Sequence, residues 1–308
     1  MNSLKYDLLN DLCGVFAPSG HETAMKKFIL NYVEQNKHTW ACQPDVIYGK
    51  EFHDCVILKF GQPRTAILTH MDSIGFTVRY NNQLVPIGGP DIKDGYTLVG
   101  RDSLGEIECA LKTDVEHRSF YHFGRGIDRG TQLVFKPDFR ETDEFVQCCY
   151  LDNRLGVFVS LQLAKILEDG VLVFSCREEH GGGTVPFLCK YLYEKLNVSQ
   201  TLICDITWIT DGVEHGKGAA ISMRDDSIPR KAYLDRIISI ADQHAIPYQL
   251  EVEGHGGSDG KEVQASPYPI DWCFVGAAED HVHSPDEIVH KSDIESMINL
   301  YSALMQEL

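Results

Sequence analysis

A chain of 308 residues, 43% hydrophobic and 24% charged, is long enough for one large domain or two ordinary ones and has the composition of a soluble globular protein. The formal charge of −17, from 28 basic against 45 acidic side chains, argues against nucleic acid as a partner, because phosphate recognition needs clustered Lys and Arg. No run of about 18 apolar residues occurs, so no membrane span and no membrane partner are predicted. Ten cysteines without a C-x-x-C pair, behind an opening that carries acids early and lacks an apolar signal core, read as reduced thiols in a cytoplasmic protein.

In chain order, leucines at 4, 8, 9 and 12 have helical spacing. After the break APSG, Ser19 and Glu22 form a capping-box pattern that predicts a second helix to about Asn36. Strands are predicted at 46–48, 55–60 and 65–69, the last delivering His70, Met71 and Asp72. From 73 to 146 the character changes. Short alternating runs at 76–80, 97–99, 106–111 and 132–135 are broken by clusters such as IGGPDIKDG and GRGIDRG. This predicts a small antiparallel β domain, residues 73–146, inserted into an α/β domain made of residues 1–72 and 147–308. A helix follows from Leu151, with apolar residues at 155, 158, 159, 163 and 166. Then come a strand at 171–175, a helix at 185–196, a strand at 201–204 ending in Asp205, and a strand at 219–223. Pro229 fits the start of a helix over 230–245. Strands at 248–252 and 271–275 precede a C-terminal helix opened by a second capping box, Ser292 and Glu295.

The stretch VLVFSCREEHGGGT at 171–184 sets Glu178 and Glu179 at the mouth of an apolar strand read as buried on both faces. A buried carboxylate costs several kcal/mol unless it is paired or binds metal. Neighbours in a regular strand face opposite ways, so both acids can serve one site only where the strand has ended. The glycines at 181–183 predict that ending. Taken alone, the pair reads equally as a solvated turn. The wider pattern shifts the balance: His70, Asp72, Asp152, Asp205, His281 and His283 also follow apolar runs or open a helix. Open α/β sheets place their sites outside the carboxyl ends of the strands. Histidine and carboxylate ligands without thiolate suit zinc, cobalt or manganese. Asp72 is spaced to accept the second N–H of the His70 ring, and Asp152 is available to bridge a pair of metals. Singly, each residue has a plain alternative: a polar loop histidine, a helix cap at Asp152, a turn at Asp205. The set carries the argument.

All of these residues but His281 fall within THMDSIGF at 69–76, LDNR at 151–154, EEHGGG at 178–183, CD at 204–205 and HSPDE at 283–287, and GHGGSDG stands between the last two at 254–260. In that order, and over nearly the whole chain, the motifs resemble the dinuclear metal aminopeptidases of peptidase family M42, the TET or deblocking type. The resemblance implies a zinc-peptidase-like mixed sheet between helices with an inserted small β-barrel-like domain. It implies that His70, Asp152 and Asp205 hold one divalent ion and that Asp152, Glu179 and His283 hold a second, with zinc or cobalt as the metal. Glu178 would be the general base and acid, and Asp72 would orient His70. His281 rivals His283 for the last ligand position, and the Ser-Pro after His283 favours the latter. Short peptides would be the substrates, and self-association into a homo-oligomer would use the insert. The chain departs from the family pattern at Asn153, where a second Asp is common, at Asp280 and His281, where Arg-Tyr is frequent, and in a trimmed insert.

Three other readings compete. A carboxypeptidase, dipeptidase or N-acyl amino acid deacylase shares the ligand chemistry, although an insert between His70 and Asp152 favours the aminopeptidase arrangement. A glycosidase built on Glu178 and Glu179 needs carboxylates about 5–10 Å apart across the bond and leaves His70, Asp205 and His283 unexplained. A non-catalytic scaffold has no need of an intact ligand set.

Overall fold

Runs of Val, Ile, Leu and Phe without alternation must be covered on both faces, and here they build the middle of a single mixed sheet. The computed structural model describes residues 4–114, 116 and 118–308. Two helices open the fold, α1 (Asp7–Cys13) and α2 (Thr23–Asn36), followed by β1 (Asp45–Ile47), β2 (Val56–Phe60) and β3 (Ala66–His70). Six strands come next: β4 (Gly75–Val78), β5 (Gln83–Ile87), β6 (Thr97–Asp102), β7 (Gly105–Thr113), β8 (Ser119–His122) and β9 (Gln132–Phe135). They close into an antiparallel barrel in the order β4-β5-β8-β7-β6-β9. The chain then runs through β10 (Arg140–Glu141), β11 (Phe145–Gln147), α3 (Leu151–Leu163), β12 (Gly170–Ser175), α4 (Val185–Leu196) and β13 (Gln200–Trp208). It ends with β14 (Ala219–Arg224), α5 (Lys231–Gln243), β15 (Tyr248–Val252), α6 (Asp259–Ala265), β16 (Asp271–Asp280), β17 (Ile288–His290) and α7 (Lys291–Glu307).

The large sheet runs β1-β2-β12-β3-β13-β16-β17-β11-β10, with β14 paired to β16 and β15 beyond it. Its centre is parallel: β3 lies between β12 and β13, with Ser175 opposite His70. Every residue of β3 and β12 is buried, as the unbroken apolar runs require. Strands β10 and β11 pair back to this sheet through β17. The barrel has its own apolar interior, where Phe76 and Phe135 meet edge to face at 5.8 Å between centroids. The fold is therefore the expected mixed α/β sheet with a small closed barrel. Among the described residues, no helix is long and apolar enough to cross a membrane. All ten cysteines are free, and all but the partly buried Cys42 are buried.

Several local expectations are corrected. Neither capping box forms. Glu22 turns its carboxylate to the Gly20 N–H at 2.7 Å, and α2 starts at Thr23. At α7 the cap is His290, whose ring accepts from Ser292 N. Strands β13 and β16 run on to Trp208 and Asp280, so Asp205 lies inside a strand and not after its end. Their parallel ladder, nine pairs from Gln200–Asp271 to Trp208–Glu279, supplies the hydrogen bonds that carry both strands past the rest of the sheet. Strands β5, β8, β10, β11 and β17 and helix α6 were not expected. Pro86 in β5 and the shortness of the others hide their pattern.

Candidate metal centre

His70 is the last residue of β3, held between β12 and β13. Its Nε2 lies 3.1 Å from Asp152 Oδ1 and 3.5 Å from Asp205 Oδ2, and its Nδ1 lies 3.5 Å from Asp72 Oδ1. His283 Nε2 lies 3.2 Å from Asp152 Oδ2 and 3.3 Å from Glu179 Oε2. The two oxygens of Asp152 thus face two different imidazoles. His281, two residues earlier, is turned out to solvent with its side chain 59% exposed beside Asp280. Glu178 lines the same cavity as Asp152, Glu179, Asp205 and His283. The chain has left β12 at Ser175, so the two glutamates need not face opposite ways.

Asp72 does more than face His70. Its two oxygens accept the backbone N–H groups of Glu178 and Glu179, at 3.1 and 3.2 Å. One buried carboxylate therefore holds the loop that carries the glutamates and faces the His70 ring at 3.5 Å.

Asp152 and Asn153 are non-helical although they stand at the start of α3. Asn153 caps the true helix: its Oδ1 accepts from Gly156 N at 2.8 Å, and its Nδ2 donates to Cys204 O at 2.8 Å. The second bond needs a donor, which an ionised aspartate lacks. The departure at Asn153 thus ties Asp152 to the strand that bears Asp205. A Cβ on Gly156 would come within 2.4 Å of Cys204 O, so only glycine allows α3 to lie this close to β13.

Four supports were not expected. Glu287, fully buried, accepts from Asp152 N at 3.2 Å. Ser258 donates to Asp205 Oδ2 at 2.6 Å. Arg154, also fully buried, donates to the carbonyls of Met71 and Asp72. All three residues lie inside motifs quoted above, so the signal was present but without an assigned role. The fourth is the barrel loop after β5. Gly89 O lies 3.1 Å from His283 Nδ1, which fixes Nε2 as the free nitrogen, and Gly88 N donates to His180 Nδ1 at 3.2 Å.

Gly88 has φ +70°, and a Cβ there would lie 2.8 Å from Ile74 Cγ2 and 3.0 Å from Glu179 O. Gly88→Ala is expected to displace Glu179 and weaken metal binding by about 10–100-fold, the usual cost of a lost outer support. Competition against a chelator of known affinity measures this. Unchanged affinity would show that the barrel loop does not set the glutamate's position.

The electrostatics favour a cation. Burial raises the Glu178 carboxyl well above the ordinary range, opposed by His70 and reinforced by Asp205 and Glu179. Burial raises Glu179 to about 7, with Asp152 adding to it. Burial works against charge on His283, yet Asp152 and Glu179 outweigh it and push the ring up to about 12. His70 is raised in the same way, with Asp205 and Asp152 overcoming burial. Among the described residues, Glu179 Oε1 and His70 Nδ1 are buried without a hydrogen-bond partner.

The donor set fits divalent metal. His70, Asp152 and Asp205 form one group, and Asp152, Glu179 and His283 another, with ligand atoms in each within 4.8 Å of one another. Bonds of roughly 2.0–2.2 Å at tetrahedral angles put ligand atoms roughly 3.3–3.6 Å apart, close to the 3.1–3.5 Å separations found between the imidazole nitrogens and the facing carboxylates.

Comparison with known proteins agrees with this chemistry. The sequence profile of the M42 glutamyl aminopeptidase family matches residues 114–300, more than half of the chain. The lysyl aminopeptidase of Pyrococcus furiosus is 23% identical, over 81% of this chain and 83% of its own. The fold is that of an aminopeptidase from the archaeon Desulfurococcus kamchatkensis, with a TM-score of 0.84 at 22% identity, covering 98% of this chain and 94% of that one. It is also that of the Pyrococcus horikoshii TET1 peptidase, which can assemble into a tetrahedron or a large octahedral shell, with a TM-score of 0.81 at 19% identity over 98% and 99% of the two chains. The protein is a hydrolase, a metal-dependent aminopeptidase, and belongs to the M42 glutamyl aminopeptidase family.

Proposed function

We propose that the protein removes N-terminal residues from short peptides, using two divalent ions, zinc or cobalt, held by His70, Asp152 and Asp205 and by Asp152, Glu179 and His283. The observation that carries this reading is the sharing of Asp152, whose separate oxygens face His70 and His283. A pair of such ions, when bound, acidifies a water molecule and polarises the scissile carbonyl. Glu178 takes the proton of the attacking water and passes it to the leaving amine. Its burial makes it a stronger base than an exposed glutamate. Asp72 keeps Glu178 at its post through the backbone N–H it accepts, and faces the His70 ring. Gly89 O does the same for His283.

The barrel insert, taken as residues 73–146, is proposed to serve assembly into a homo-oligomer as well as access to the site. The TET1 peptidase, which has this fold, can assemble into a tetrahedron or a large octahedral shell. Work in the cytoplasm is supported by ten free cysteines, nine of them buried where they pack without bridges.

Amino-acid anilides are expected to be hydrolysed and N-acyl amino acids are not. Exhaustive chelation should abolish turnover, and zinc or cobalt should restore it, with about two ions per chain at full activity. Turnover that survives chelation would remove the metal reading. A preference for N-acyl substrates would make the protein a deacylase.

A further inference from the structure

The motif GHGGSDG at 254–260 gives Ser258 to Asp205, but its histidine takes no part in holding the metal ligands. His255 lines the cavity of about 270 Å³ at the metal centre, together with Glu178, Glu179, Asp205 and His283. It lies on the loop between β15 and α6, and both flanks of that loop are pinned. Glu253 N donates to Arg224 O at 3.0 Å, and Asp226 N donates to Gly256 O at 3.2 Å. Three residues after His255, the Ser258 hydroxyl donates to Asp205 Oδ2 at 2.6 Å. The backbone is thus fixed beside one metal triad. The His255 ring itself is exposed, and no protein group bonds it among the described residues.

The rest of the cavity is short of donors. Carboxylates, with Asp225 and Glu251 among them, make up most of its polar lining, and neither lysine nor arginine lines it. An ionised carboxylate only accepts. The Thr207 hydroxyl is spent on Glu251 and that of Ser258 on Asp205. His283 turns Nδ1 to Gly89 O and Nε2 to Asp152 and Glu179. Two lining side chains keep an N–H for a ligand, His255 and the half-exposed Trp208. The Trp208 ring meets the His255 loop through Cη2 and Cζ3, which lie 3.8 Å from the place of a Cβ on Gly256. Those are carbon atoms, so toward the loop the indole gives support and no hydrogen bond.

Hydrolysis of a peptide bond puts a full negative charge on the carbonyl oxygen, and a donor already in place there strengthens only as that charge forms. We propose that His255 donates an N–H to the oxygen of the scissile carbonyl as it becomes an oxyanion, and is a catalytic residue on a different loop from Glu178. The water oxygen adds to the carbonyl carbon while Glu178 takes the water's proton. The π pair moves to the carbonyl oxygen, where the His255 N–H meets it. When the C–N bond breaks, that pair re-forms the carbonyl, Glu178 passes its proton to the leaving amine, and His255 is unchanged. A neutral ring suffices, since it keeps one N–H. This rests on the aminopeptidase reading of the same site.

The test compares wild type with His255→Ala, His255→Gln and Trp208→Phe, all full-length and metal-loaded. Anilides of leucine, lysine and glutamate give kcat and KM. The fastest of them fixes the side chain of two calorimetric probes: the aminophosphonic acid, a tetrahedral anion, and the amino alcohol, which has no oxyanion to offer. His255→Ala is expected to lower kcat by about 10²-fold, the cost of one oxyanion donor, with KM nearly unchanged and about two ions still bound. Binding of the phosphonic acid should weaken in parallel and that of the amino alcohol should not. His255→Gln keeps an N–H and should recover part of both losses. Unchanged kcat in His255→Ala would overturn the proposal. So would equal weakening of the two probes, which would leave the ring a mere part of the cavity wall. Loss of the phosphonic acid in Trp208→Phe but not in His255→Ala would overturn it and assign the role to the indole. Wild type that cleaves no anilide would sink the aminopeptidase reading and this proposal with it, whereas active wild type with an equally active His255→Ala sinks this proposal alone.

Discussion

Glu178→Gln is expected to lower kcat by about 10²–10⁴-fold, the contribution of a positioned general base, while the metal content stays at about two ions per chain. The substitution keeps shape and the backbone N–H that donates to Asp72. It removes only the ability to take a proton. KM should change little, because Glu178 is not among the five residues of the two groups that share Asp152. Metal analysis and steady-state kinetics on the same preparation separate the outcomes. Loss of an ion on substitution would make Glu178 a ligand and move the base to Glu179.

Asp152→Ala is expected to empty both triads at once. Its Oδ1 lies 3.1 Å from His70 Nε2 and its Oδ2 3.2 Å from His283 Nε2, so no other side chain can replace it in both. The fall in metal affinity should exceed the roughly 10–100-fold that loss of an outer support costs, and activity should fall below detection at micromolar metal. The thermal midpoint should drop with it, since an ion present at about 1,000 times its Kd contributes about 4 kcal/mol to stability. Asp205→Ala, by contrast, touches one triad and should remove one ion. His281→Ala, at an exposed side chain, should remove none. An Asp152→Ala protein that retains both ions would refute the shared carboxylate.

Much of this site was legible before any fold was known. A metal centre needs particular donor atoms, and the chain supplies them at the ends of apolar runs that have no other use for charge. His70 after AILT and the Glu178–Glu179 pair after VLVFS are readable because strands buried on both faces give way to charge near their ends; Asp205 after LIC was read in the same way, although β13 runs on past it to Trp208. The barrel was legible as a class, from alternation and glycine punctuation, although β5 and β8 were not.

Other features depended on contacts that no local pattern encodes. His281 and His283 share one loop, and the choice between them falls to Gly89 O, a barrel carbonyl 194 residues away in sequence. Asn153 is an unremarked polar residue until α3 packs on β13 and its amide meets Cys204 O. At two helix starts other bonds stand in place of the expected boxes: Glu22 accepts from Gly20 N ahead of α2, and the His290 ring accepts from Ser292 N at α7. Asp225, just after β14, and Glu251 on β15 carry no mark of a site in the sequence. Only the order β13-β16-β14-β15 brings them to the wall of the metal cavity. Local sequence determines which donor atoms exist and which runs are buried strands. Which of them share a cavity is decided by strand order and loop closure, because a sheet brings together residues whose separation along the chain carries no information about their separation in space.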